Sequence, residues 1–390
     1  MSAFESFVYV CADPGIPVPG TKGASIHVQS VCKALTQLGV RGSVYTVRPK
    51  GKELEGHPVH SVPLVKAPDG ETPSDRERRL FLSANPAAIG TQEESKPGFV
   101  YERYSLWHTA GLSYARQLGV PFVLEVNSPL PDEASRYRSL GQPELAEGVA
   151  GVLMKEADAI VCVSSEVAAW VRHRRGKSDG VWVIPNGVDS ELFAPCPESR
   201  PGSLPPRDVP LVAFSGSFRP WHGLGHLLNA FEILLNDLPE AHLVCVGDGP
   251  ELESFTARVA ERKLTDRVHL PGRVAHDQVP AWLGGADVAV APYPALDDFY
   301  FSPLKIFEFM ALGLPVVASA TGQIRELIPH EERGYLYGAG DSQELATTLV
   351  RTLREQKEAK AIGERGRDWI LEHATWQKRV EEILDRLARL

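Results

Sequence analysis

Residues 301–319 read F-S-P-L-K-I-F-E-F-M-A-L-G-L-P-V-V-A-S. Ser302 is a good helix cap, Pro303 suits a first helical position, and Gly313 is a helix stop. The spacing predicts a helix over residues 303–312, and P-V-V-A-S from 315 predicts a buried strand. A helix running into an uncharged strand is the repeating unit of a parallel sheet covered on both faces. The same unit recurs upstream. Strands are expected at L-V-A-F-S-G from 211, H-L-V-C-V from 242, R-V-H-L from 267 and D-V-A-V-A from 287, each followed by a helical pattern. Before residue 195 lies a second series. It begins with F-V-Y-V-C-A at 7–12 and a helix at 25–38 stopped by Gly39. Strands at 43–47, 99–101, 121–125, 159–163 and 181–184 continue it, with helical stretches near 108–118, 144–156 and 164–174. Residues 66–97 are polar and read as a variable loop, with a helix start near 75–79. Between the two series, residues 195–210 hold six prolines, Gly202 and two serines, a linker composition. The expectation is an α/β chain of two doubly wound, Rossmann-like domains facing across a cleft: residues 1–195, a linker at 196–210, and residues 211–375. Ligands of such sheets bind at the carboxyl ends of the strands.

Composition narrows the function classes. A chain of 390 residues, 43% hydrophobic and 23% charged, has material for two cores and is not a disordered protein. Forty-one Lys and Arg against 50 Asp and Glu give −9, so no overall basic field exists for nucleic acid or an anionic membrane. Five cysteines, odd in number and without a C-x-x-C pair, read as small buried hydrophobes in a reducing compartment. The N-terminus has no base before Lys22, and no apolar run reaches the length of a spanning helix. The expectation is a cytoplasmic protein without a transmembrane segment, with at most weak peripheral membrane contact.

Three turns carry the chemistry. Residues 13–24, D-P-G-I-P-V-P-G-T-K-G-A, join the first strand to the first helix, with Gly20 and Gly23 permitting close approach to an anion at the helix N-terminus. The turn is neither G-x-G-x-x-G nor a P-loop. Residues 215–223, S-G-S-F-R-P-W-H-G, follow a strand; Gly216 ends it, and Arg219 is the strong anion donor, with His222 a second candidate. In the 303–312 helix, Lys305 stands in the first turn, at the positive end of the helix dipole. That placement suits a bound anion; the competing reading is a surface pair with Glu308, three residues on. In the first domain, Tyr104, Trp107, His108, Glu125 and Asn127 trail strands and are candidates for the ligand face. No paired-Asp or H-x-x-x-H pattern suggests a metal site.

Taken together, these pieces resemble the retaining glycosyltransferases of family 4, with the GT-B fold. The resemblance rests on G-T-K-G-A-S-I-H-V from 20, A-D-A-I-V-C-V-S-S at 157–165, and I-P-N-G-V-D from 184 with Phe193. V-G-D-G-P at 246–250, F-E-F-M-A-L-G-L-P-V-V-A-S, and T-G-Q-I-R-E-L-I at 321–328 complete the set. The resemblance implies transfer of a sugar from a nucleotide diphosphate sugar to an acceptor hydroxyl, with retention and without a metal or other cofactor. It places the nucleotide mainly on the C-terminal domain, the acceptor mainly on the N-terminal one, and returns the last helix, residues 376–390, to the first domain.

Residue by residue, Glu308 falls on the second Glu of the family's E-x7-E motif, which holds the ribose, while the first falls at Tyr300. Asp297 or Asp298 is the candidate replacement. The family's diphosphate motif G-R-L-x-x-x-K-G reads G-S-F-R-P-W-H-G, so its Arg is Ser217 and its Lys is His222. Arg219 and Lys305 are then the bases expected to meet the diphosphate, and Asn127 aligns with the family's catalytic His. The expected donor-binding set is Gly23, Gly216, Arg219, His222, Val274, Lys305 and Glu308. Lys22, Tyr104, Glu125, Asp298 and Tyr300 are expected on the acceptor and sugar side, and Arg219, Lys305 and Asn127 in catalysis. The departures mark a divergent branch and leave two other readings open: a GT-B nucleotide-sugar epimerase, and a non-catalytic sugar-nucleotide-binding homologue.

Overall fold

In the computed structural model, which describes residues 3–90, 93, 95–196, 200–296 and 298–390, the chain forms two compact units. The first comprises residues 1–186, 300–302 and 376–390, and the second residues 187–299 and 303–375.

The first unit's sheet contains β1 (Ser6–Cys11), β2 (Arg41–Thr46), β3 (Glu53–Leu54), β4 (His57–Ser61), β5 (Phe99–Arg103), β6 (Phe122–Val126), β7 (Ala159–Cys162) and β8 (Val181–Val183). Their order is β3-β4-β2-β1-β5-β6-β7-β8. Only the β3–β4 pair is antiparallel. Strands such as β1 and β6 lack the alternation of a one-sided sheet because helices cover both faces, and Phe7, Val8, Val10, Phe122 and Leu124 are all fully buried. Each such side chain contributes roughly 1.5–3 kcal/mol by leaving water. The helix Trp376–Leu387 belongs to this unit, where the Trp376 ring meets the His27 ring edge-on at 4.7 Å.

The second unit repeats the plan with β9 (Leu211–Ser215), β10 (His242–Val246), β11 (Val268–Gly272), β12 (Val288–Ala291), β13 (Val316–Ser319) and β14 (Tyr335–Tyr337), ordered β11-β10-β9-β12-β13-β14 and wholly parallel. In each sheet the strand order reverses beside the first strand, so the carboxyl ends of the β1/β5 and β9/β12 pairs are the two switch points where ligands of such sheets bind.

Three local expectations are corrected. The proline-rich stretch does not separate the units, because the change falls at residues 186/187. Arg200 anchors the stretch to the second unit through the Gly285 carbonyl at 2.7 Å and Asp287 at 3.7 Å. Ser302 does not cap the 303–312 helix, which runs Leu304–Ala311 with Pro303 at its cap. Ser302 instead accepts the Asn186 backbone N–H at 3.1 Å and, through its carbonyl, the Asn186 side-chain amide at 2.7 Å. Within the stretch read as a loop, Pro73–Leu82 is a helix capped by Thr72, whose hydroxyl accepts the Asp75 N–H. Among the described residues no helix is long and apolar enough to cross a membrane.

Candidate active site

At the second unit's switch point, the turn after β9 is built to let a side chain lie on bare backbone. Its Gly216 N–H donates to the Val246 carbonyl at 3.0 Å, and the Phe218 N–H to the Asp248 carbonyl at 2.9 Å. A Cβ on Gly247 would fall 1.9 Å from the Gly216 carbonyl oxygen, so only glycine fits there. Gly216 has φ 143°, and a Cβ on it would fall 2.8 Å from Lys305 Nζ. The lysine head fills the place a side chain would take.

Lys305 comes from the first turn of the Leu304–Ala311 helix and is 7% exposed. Its Nζ lies 4.3 Å from the centroid of the Phe214 ring and 5.1 Å from that of Tyr293. Ring faces attract a cation but do not replace its hydrogen bonds. Among the described residues Nζ has no hydrogen-bond partner. Burial pushes the ammonium down to about 7, opposed by the charge of Glu308. A buried, unpaired cation at a switch point, on a helix N-terminus, is a site prepared for an anion.

The surface pair of Lys305 with Glu308 does not form. Glu308 Oε1 instead lies 3.2 Å from His276 Nε2, in a turn just beyond Val274. The His276 ring packs 5.3 Å from Phe193. His276 escaped the sequence reading because nothing within 30 residues of it marks Glu308 as its partner. The His222 ring is pushed down to about 3 by burial and by Lys305, so it is neutral near pH 7 without a ligand. Nδ1 donates to the Ser217 carbonyl, which leaves Nε2 a lone-pair acceptor while the ring is neutral. Arg219 is exposed, its guanidinium 5.6 Å from the Trp221 ring centroid. Asp298 is exposed, and Asp297 lies outside the described residues.

The first unit gathers a different set at its own switch point. Glu125 on β6 is 1% exposed, and Arg103 on β5 stands opposite it in register. Tyr101 and Arg103, two apart on one strand, share a face and donate to it at 2.8 and 2.7 Å. His27 Nε2 lies 2.9 Å away, and the Asn127 amide donates at 2.6 Å. Burial alone would raise the carboxyl, but His27, Arg103 and Asn127 overcome it and hold it at about 2. Glu125 is therefore a fixed anion with its oxygens engaged, not a base. Asn127 has its N–H groups turned to Glu125 and retains a carbonyl oxygen for hydrogen bonding. His27 went unnoticed in the sequence; its helix position, facing β6, is a tertiary fact.

The remaining candidates scatter. Tyr104 is a core residue, 4% exposed. Tyr300 packs into the first unit's core with its hydroxyl 3.3 Å from Glu133. Lys22 is exposed and donates to the Gly15 carbonyl at 2.9 Å, and Gly23 opens the Gly23–Gln37 helix. Among the described residues no cluster of three or more His, Cys, Asp or Glu side chains is arranged to hold a metal ion.

Comparison with known proteins agrees with this layout. The family described as Glycosyltransferase Family 4 matches residues 21–192, and that described as Glycosyl transferases group 1 matches residues 209–355. The chain is 27% identical over 237 residues to the GDP-mannose-dependent α-(1-6)-phosphatidylinositol monomannoside mannosyltransferase of Mycobacterium tuberculosis, covering 59% of this chain and 61% of that protein. It thus spans about three-fifths of that relative's length. It is 29% identical to the MMP α-(1→4)-mannosyltransferase of Mycolicibacterium hassiacum, covering 91% and 92% of the two chains. Among solved structures, sucrose-phosphate synthase from Thermosynechococcus elongatus superposes with a TM-score of 0.76 at 22% identity, covering 99% and 98%. With both units matched in order, and with two parallel sheets of this topology, the chain belongs to glycosyltransferase family 4 and has the GT-B fold.

Proposed function

We propose that the protein moves a sugar from a nucleotide diphosphate sugar to an acceptor hydroxyl with retention at the anomeric carbon, without a metal. The observation that carries this reading is Lys305, a buried ammonium at the second unit's switch point without a hydrogen-bond partner among the described residues. The diphosphate of the donor is the anion it awaits. Arg219, from the turn beside Gly216, is the second cation, and Glu308, steadied by His276, accepts from the ribose hydroxyls. The acceptor belongs to the first unit.

The barrier is the charge that builds on the leaving diphosphate as the anomeric C–O bond breaks. A donor held in a dry pocket stabilises that charge without reorganising, which is where Lys305 acts. The leaving phosphate oxygen takes the proton of the attacking hydroxyl on the same face, so no protein base is required. This fits a first unit whose best-placed carboxylate, Glu125, is held ionised at about 2 and fully engaged. Two relatives are named as mannosyltransferases, one GDP-mannose-dependent, so GDP-mannose heads the donor panel. The test is a thermal-shift screen of nucleoside diphosphates and their sugars, since a ligand of the native state raises stability by mass action. A stabilising nucleotide whose effect disappears in Lys305→Ala supports the reading. No stabilisation by any nucleotide overturns it.

A further inference from the structure

The first unit contains a cavity of about 240 Å³ that none of the residues discussed for the donor lines. Its walls come from the turn after β1, the Pro73–Leu82 helix, the turn after β5 and the segment 130–140. Leu80, Leu106, Trp107, Leu130 and Leu140 make it apolar. The wall also holds polar residues, Ser105 and His108 among them. Ser105 and His108 are 4% and 3% exposed, and neither Ser105 Oγ nor His108 Nε2 has a partner among the described residues.

The state of His108 follows from its other nitrogen. Nδ1 lies 3.4 Å from Glu102 Oε1, a carboxyl with no exposure. With Glu102 ionised, Nδ1–H donates to it and Nε2 is a lone pair in the neutral ring or an N–H in the charged one; with Glu102 protonated and Nδ1 accepting, Nε2–H is a donor. In either state Nε2 is buried with one unmet hydrogen bond, on a residue that lines the cavity. A buried polar atom left unmet costs stability unless a ligand or water meets it. A hydroxyl satisfies both states, because it donates and accepts.

The charged lining fixes the rest. Asp13 and Glu77 balance Arg76 and Arg138, so the cavity has no net cationic field for a phosphate. Asp13 Oδ1 accepts from the Gly15 N–H at 2.6 Å and Glu77 Oε1 from the Gly141 N–H at 3.2 Å, while Glu77 Oε2 has no partner among the described residues; Arg138 pairs with Glu133 at 3.1 Å. The volume lies just below the usual range of about 300–1,000 Å³ for drug-sized ligands, which suits a single ring.

We infer that this cavity binds an uncharged, hydroxylated ligand whose apolar part is about one ring in size, with His108 and Ser105 meeting a hydroxyl and the Leu80–Trp107–Leu140 wall meeting the apolar face. Identifying that ligand as the acceptor rests on the transferase reading above; the cavity does not.

The experiment titrates the full chain with phenyl β-D-glucoside, glucose and glucose 6-phosphate, by calorimetry and by tryptophan fluorescence, since Trp107 lines the cavity. Phenyl glucoside should bind roughly tenfold tighter than glucose, the ring's burial being worth at least that, and glucose 6-phosphate should gain nothing from its charge. His108→Ala and Ser105→Ala should each weaken phenyl glucoside by roughly tenfold, one hydrogen bond's worth. Ala134→Phe, which fills the cavity from the helix Leu130–Tyr137, should abolish binding. Melting temperature and nucleotide binding certify that each variant is folded. The inference is overturned if glucose 6-phosphate binds tightest, if none of the three sugars binds a protein that binds nucleotide, or if every folded variant keeps normal affinity. If the phenyl glucoside pattern holds but no nucleotide binds, the transferase reading fails and the cavity stands.

Discussion

Raising the pH above neutrality should loosen the grip on the donor, and the size of the effect follows from one side chain. Lys305 is pushed down to about 7 by burial, and its ammonium has no hydrogen-bond partner among the described residues. A diphosphate favours the ammonium, so binding raises that value and takes up a proton. The binding-competent fraction of the free protein is about one half at pH 7 and about one hundredth at pH 9. Apparent affinity scales with that fraction, so Kd should rise about fiftyfold over the interval, or about 2 kcal/mol. Below about pH 6 it should be flat. The diphosphate ester of a nucleotide sugar does not itself titrate there, so the slope belongs to the protein. Calorimetry in two buffers of different ionisation enthalpy measures both Kd and proton uptake, which should approach one per ligand above neutrality. Lys305→Met should bind weakly at every pH, without slope. A flat profile in the parent protein, proton release on binding, or an unchanged slope in Lys305→Met would refute the reasoning.

Three other outcomes follow from the same geometry. Lys305→Ala should weaken the donor and also lower turnover at saturating donor on the order of 10²–10³, because its interaction strengthens as charge builds, whereas Glu308→Gln should mainly raise KM; unchanged turnover in Lys305→Ala, or turnover lost without a rise in KM in Glu308→Gln, would contradict these roles. Without ligand, Lys305 binds more protons unfolded than folded between pH 7 and 10.5, so stability should rise with pH across that window. Lys305→Met should remove the rise and, at pH 7, gain up to about 5 kcal/mol in urea melts. Glu125, held at about 2 against an ordinary 4.5, contributes about 3 kcal/mol that is complete above pH 4.5 and lost as pH falls through 2. Glu125→Gln should melt lower at pH 7, and the two proteins should converge as pH approaches 2.

Much of the fold was legible because buried parallel strands and their helices write short apolar runs with helical spacing between them, as β12 and β13 do. Lys305 was legible for a different reason: a lysine in a first helical turn opposes the dipole, and the misfit asks for an anion. What could not be read is what burial adds. Phe214 and Tyr293, which hold Lys305, lie 91 and 12 residues away in sequence. His27 and Glu125 meet only because β6 passes behind the first helix, and His276 reaches Glu308 across 32 residues. Local grammar also misled. Ser302 has every mark of a cap but is taken by Asn186, and prolines that look like a linker are tied down by Arg200. Nor does sequence show that the His222 ring, at the lysine position of the phosphate motif, is pushed down to about 3 by burial and by Lys305.

The central claim is retaining transfer from a nucleotide sugar, and the direct measurement is NMR of an early reaction time point with a donor found by thermal shift. An α-linked donor should yield an α-linked product, one nucleoside diphosphate released per glycoside formed, and an unchanged rate in the presence of a divalent-metal chelator. A β-linked product, or donor consumed without released nucleoside diphosphate, would contradict it.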